Sequence, residues 1–119
     1  MITIISHGHK FGNPEANFKF DVSYFKNPWR EDGIREEKNI EKRKEMITKF
    51  MKSQEGLEVF VDRVVSLFRL IHLLNKDENI VVAFCCSAGE YRSPVIAEMV
   101  GEKLGANISK VCQGVNSKL

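Results

Sequence analysis

The feature that most constrains this chain is the run Ile80–Cys85 (IVVAFC), six apolar residues between a polar turn and a glycine-containing loop. A strand that does not alternate has no polar face to offer water. It therefore suits the middle of a parallel sheet, covered on both sides. The turn before it is Asn75–Asn79 (NKDEN), and the segment after the loop, Pro94–Leu104 (PVIAEMVGEKL), reads as a helix that stops at Gly105.

The rest of the chain fits around that unit. Met1–Ser6 (MITIIS) is β-branched and short, as a buried strand would be, and glycines, Asn13 and Pro14 break regular structure from His7 to Pro14. Phe18–Tyr24 (FKFDVSY) alternates as a strand and ends before Asn27-Pro28-Trp29. Leu57, Phe60, Val61, Val64, Leu67, Phe68, Ile71 and Leu74 recur at helical spacing. His72 beside that stripe reads as packed or exposed and not as a ligand. Ile108–Cys112 fits a last edge strand. Arg30–Lys52 reads as a solvated helix or a mobile loop, and its interleaved acids argue against a one-sign face for nucleic acid. The order strand, strand, helix, strand, helix, strand predicts an α/β fold, a small and mostly parallel sheet flanked by helices, in one domain over residues 1–119.

Composition narrows the class. At 43% apolar and 29% charged residues the chain can fold without metals or disulfides, and a net charge of +2 says nothing for nucleic acid. Cys85, Cys86 and Cys112 are an odd count with two neighbours that face opposite ways, which points to a reducing compartment. With no apolar run of membrane length and no signal-peptide core, the expected location is the cytoplasm.

The chemistry centres on Cys86, Ser87, Ala88, Gly89, Glu90, Tyr91, Arg92 and Ser93. A strand, a short loop and a helix N-terminus together leave backbone N–H groups and positive potential for an anion. Ser93 is expected as the N-cap, Pro94 as the first helical residue, and Arg92 as a bidentate fork for phosphate or carboxylate. Cys86 and Arg92 form Cys-x5-Arg, in which a thiol of lowered pKa lies under the anion; the other reading is an inert buried cysteine. His7 and His9 form His-x-His, but no further ligands stand at metal spacing, so neither a metal nor a cofactor is expected.

Two families resemble this pattern. Arg92-Ser93-Pro94 with Ala97-Glu98 is similar to the low-molecular-weight tyrosine phosphatases, though the loop lies near the opposite end of the chain and no Asp-Pro follows it. That resemblance implies a cysteine-dependent phosphatase using Cys86 and Arg92, with Asp21 or Asp32 as the acid it otherwise lacks. The second resemblance covers more. Ser6-x-Gly8-x-Lys10-x-Gly12-x-Pro14, Phe20-Asp21-Val22, Asn27-Pro28 and Cys86-x-x-Gly89-x-x-Arg92-Ser93-x-x-Ile96-Ala97-Glu98 resemble, in order and spacing, the C-terminal domain of the RapZ RNase adapter family.

The RapZ resemblance implies a non-catalytic α/β module that binds a phosphorylated small molecule, an amino-sugar phosphate such as glucosamine-6-phosphate or a nucleotide-like anion. Such a module acts as a metabolite sensor or regulatory adapter. It also implies that His7, Gly8, His9 and Lys10 meet the Cys86–Ser93 loop at one sheet edge, with Lys10 and a histidine opposite the phosphate, and that Asn27 joins the ligand site. RNA, and a second or further copy of the chain in a homodimer or larger homo-oligomer, remain open as partners; a membrane does not. The Gly-x4-Gly-Lys loop of the family's nucleotide-binding domain is absent, so this chain is expected to stand without that domain. The family pattern is broken at Ala88, Glu90, Tyr91, Ser23 and Trp29.

Overall fold

In the computed structural model, which describes residues 1–119, the apolar run becomes strand β3, Ile80–Cys86, inside a wholly parallel sheet of four strands. Strand β1 (Ile2–Gly8) lies on one side of it and β2 (Phe18–Asp21) on the other, and β4 (Ser109–Cys112) flanks β1, giving the order β2-β3-β1-β4. Helix α1 spans Ile40–Ser53, α2 Leu57–Leu74 and α3 Arg92–Leu104.

Register explains which side chains meet the helices. Phe18, Val82, Ile4 and Val111 form one cross-strand row, and successive residues of a strand face opposite ways. This row turns toward the helices, as do Phe20 and Phe84 in the next row on that face. Phe18 meets Phe68 of α2 edge-on at 5.3 Å, and Phe20 stacks on Phe84 at 5.5 Å. Leu57, Val61, Val64, Val65 and Phe68 are the buried stripe of α2, each contributing roughly 1.5–3 kcal/mol by leaving water. Gly101 lets α3 close on β4, since a Cβ there would lie 2.2 Å from Val111.

The opposite face carries the row Lys19, Ala83, Ile5 and Cys112. Ala83 and Cys85 are nonetheless buried. Parallel crossovers are right-handed, so the β1–β2 connection passes over β3 on this face, away from the helices. It lands where Asn17 bonds Val81 through both its amide and its side chain.

Several boundaries differ from those predicted. Strand β1 runs on through His7 and Gly8, and His9–Phe11 is a 3-10 turn, because the parallel ladder with β3 extends to the pair Gly8–Cys86. Strand β2 ends at Asp21, where Ser23 turns back to bond the aspartate. Of the charged segment Arg30–Lys52, the helix begins only at Ile40, capped by the Asn39 side chain, and it is anchored by Ile47 and Met51. Dense charge concealed those two anchors. Helix α3 starts at Arg92, with Tyr91 as its cap. Ser93 is therefore not the N-cap and Pro94 is not the first residue. Proline is tolerated anywhere in a first turn, where no N–H acceptor is required, so it did not mark the start uniquely.

Candidate functional site

The site begins where β3 ends. Cys86 closes the strand, and its thiol lies 3.3 Å from the Ser93 hydroxyl, both fully enclosed. Between them the loop turns at Gly89, whose φ of +73° is left-handed and suits glycine. A Cβ on Gly8 would lie 2.5 Å from the Ala88 carbonyl, so the end of β1 and the loop touch backbone to backbone.

Hydrogen bonding in this loop is one-sided. The Ser87 carbonyl accepts from the Lys10 amide, Ala88 from the Asn116 side chain, Glu90 from the Lys118 amide and Tyr91 from the Val95 amide. By contrast, the amides of five consecutive residues, Ser87 to Tyr91, donate to no acceptor in the chain. With its acceptors occupied, its donors spare and a helix N-terminus directly behind, the loop is electrostatically prepared for an anion.

Arg92 departs from the expected role. Its guanidinium was predicted to project into the loop as a free fork, but Nη1 donates to the carbonyls of Ser23, at 2.5 Å, and Phe25, at 3.2 Å, and Nη2 donates to the Ser87 hydroxyl at 3.3 Å. The side chain clips the turn after β2 onto the loop. Three of the five guanidinium N–H donors are engaged, which leaves two. The cleft beside it, about 500 Å³, is lined by Ser23, Phe25, Lys26, Asn27, Arg30, Glu31, Ser87 and Arg92. Asn27 reaches it as the cap of the Pro28–Arg30 3-10 turn, accepting from the Trp29 amide.

The β1 side of the site is arranged differently from the predicted pocket. Lys10 is tied to the loop by its backbone, while its ammonium lies 5.9 Å over the Phe11 ring. His7 bonds the Gly12 carbonyl at 2.9 Å, and His9 pairs with Asp21 at 3.2 Å. None of these three side chains lines the Arg92 cleft; His7 and Gly8 face Gly89 across a crevice of about 30 Å³. The Ser23 hydroxyl and amide beside Asp21, with His9 on the other side, hold its carboxyl below the usual carboxylate range. A group held ionised in this way is a poor proton donor at neutral pH. Asp32 is fully exposed, 3.9 Å from Arg35. Burial pushes the neighbouring Cys85 thiol up.

Glu90 and Tyr91 point away from the Arg92 cleft. Tyr91 stacks on Trp29 at 5.5 Å with the rings 6° apart, and Glu90 accepts from Asn116. Residues 23, 26 and 30 were not foreseen as part of the site. Asn27-Pro28 marked a turn, but the Arg92 bonds to Ser23 and Phe25, together with the Trp29–Tyr91 stack, hold that turn, with Lys26 and Arg30, against the loop.

A parallel α/β sheet whose strand ends open onto such a loop has the architecture in which open α/β sheets place a ligand crevice, at the carboxyl ends of the strands. The model of the RapZ C-terminal domain matches residues 1–115, and the chain belongs to that family. A protein of Lysinibacillus sphaericus called a nucleotide-binding protein is 27% identical over 92% of this chain and 37% of its own length. One of Acidobacterium capsulatum with the same description is 30% identical over 93% of the chain and 36% of its length. Nucleotide-binding protein TTE1834 of Caldanaerobacter subterraneus is 33% identical over 87% and 37%. The chain thus spans little more than a third of these relatives. No helix is long and apolar enough to cross a membrane.

Proposed function

We propose that this domain binds a phosphorylated small molecule, an amino-sugar phosphate or a nucleotide-like anion, and serves as a sensor or adapter module without turning the ligand over. The run of unpaired amides from Ser87 to Tyr91 carries this reading. Unpaired amides ahead of a helix N-terminus are donors of the kind that phosphate oxygens accept from. Ser87, the two spare Arg92 donors, Lys26 and Arg30 add charge and hydrogen bonds in the adjoining cleft, and Asn27 holds the turn that presents them. The relatives' description as nucleotide-binding proteins agrees with a phosphorylated ligand.

The cysteine-phosphatase alternative is weaker because neither aspartate it would use as its acid lines the Arg92 cleft, where Glu31 is the one carboxylate. Asp21 is held ionised, and the Asp32 side chain is fully exposed. Calorimetry with glucosamine-6-phosphate and glucosamine tests the proposal. The phosphorylated sugar is expected to bind at least about tenfold more tightly, the value of one charge-assisted hydrogen bond. Equal affinity for both sugars would remove the phosphate loop from the function.

A further inference from the structure

A second cleft, of about 570 Å³, opens on the other side of the Trp29–Tyr91 stack. Its floor is that aromatic pair, and its rim is built from α1 and the C-terminal segment. Arg43 lies 5.8 Å over the Trp29 ring, and Lys44 and Lys118 also line the cleft. None of these three cations takes part in an ion pair. Tyr91 is 7% exposed, and its hydroxyl bonds no group of the chain and emerges at the cleft. Glu90, the one carboxylate on the rim, is drawn toward the Asn116 amide.

We propose that this cleft is a second anion site, taking a tetrahedral oxyanion of the phosphate class, with the Tyr91 hydroxyl donating to it and Arg43, Lys44 and Lys118 neutralising it. The charges select phosphate over a carboxylate. Three cations less Glu90 leave a surplus of two, which matches a phosphate dianion, whereas a carboxylate carries one charge. Burial, and secondarily Glu90, raise the Tyr91 pKa, so the phenol keeps its proton and acts as a donor. The site shares no side chain with the Arg92 cleft, so side-chain substitutions separate it from the loop site.

Trp29 is the only tryptophan and reports directly on this cleft. Titration of the full chain with inorganic phosphate is expected to change its emission, and acetate at equal ionic strength is not. Tyr91→Phe keeps the stack and removes the hydroxyl; it should weaken the phosphate response about tenfold or more, and Arg43→Gln should do the same. Lys26→Gln, in the other cleft, should leave the response in place while weakening the calorimetric event assigned to the loop. Circular dichroism melting checks that each variant folds. An absent response, an equal response to acetate, or one that survives both Tyr91→Phe and Arg43→Gln would overturn the proposal.

Discussion

Gly8 and Gly89 pack so closely that a Cβ on Gly89 would sit 2.8 Å from the Gly8 nitrogen, and one on Gly8 would meet the Ala88 backbone. The obstructing atoms are main chain and cannot rotate away. Gly8→Ala must therefore push the loop off β1, costing about 1–3 kcal/mol in urea unfolding. Because the displaced atoms belong to the anion loop, phosphate affinity should fall in the same variant. Unchanged affinity alongside lost stability would show that the loop keeps its shape without this contact.

Arg92 has two tasks, and its substitutions should separate them. Arg92→Ala leaves the carbonyls of Ser23 and Phe25 without their donor, so about 1–3 kcal/mol of stability is lost together with ligand affinity. Lys26→Gln, on an exposed side chain of the same cleft, should reduce affinity and leave the melting temperature within a degree or two. If Arg92→Ala melts like the parent, the clip on the turn contributes nothing.

Asp21 sets a small acid dependence. Its folded pKa lies below its ordinary value of 3.8, so its stabilising contribution is complete above that value and is lost as pH falls through the lower folded value. The side chain is half exposed, which limits the effect to under about 1 kcal/mol. Asp21→Asn should flatten the stability curve between about pH 5 and pH 2 and change little at neutrality. An identical acid slope in both proteins would assign the dependence to other carboxylates.

Cys86 and Ser93 share a hydrogen bond inside the core, so Cys86→Ser substitutes one hydroxyl for a thiol without opening a cavity. Phosphate binding should persist within about threefold, given the modest net worth of a neutral hydrogen bond. Neither the parent nor the variant should hydrolyse an aryl phosphate. Turnover in the parent that disappears in Cys86→Ser would make the loop a phosphatase.

Much of this architecture was legible in the residues. Ile80–Cys85 announced a central parallel strand, and the Leu57–Leu74 stripe announced a helix with its buried face. His7 to Lys10 are expected beside the Cys86–Ser93 loop, and there Gly8 pairs with Cys86 and the Lys10 amide bonds the Ser87 carbonyl. Side-chain direction was not legible. Arg92 in a Cys-x5-Arg loop reads as a ligand fork, yet two carbonyls from a turn about seventy residues away claim one of its nitrogens. Lys10 reads as a phosphate contact, yet its ammonium rests on its neighbour Phe11. Ile47 and Met51 were hidden among charges because two anchors suffice for a helix whose remaining faces are wet. The Arg92 contacts are long-range, and the direction of the Lys10 side chain is set by a rotamer, neither of which local pattern encodes.

The β1–β2 connection crosses the sheet away from the helices, and the row beneath it ends at Cys112, an exposed thiol beside two buried ones. The molecule therefore carries a single accessible thiol, set on the face turned from α1 to α3. A dye, a surface linker or a spin label attached at Cys112 would hold the domain in one orientation with its helical side outward. Both clefts proposed to take an anion, built from the helical side and the strand ends, would remain open to solution, and so a tethered copy could be read out while ligand exchanges freely.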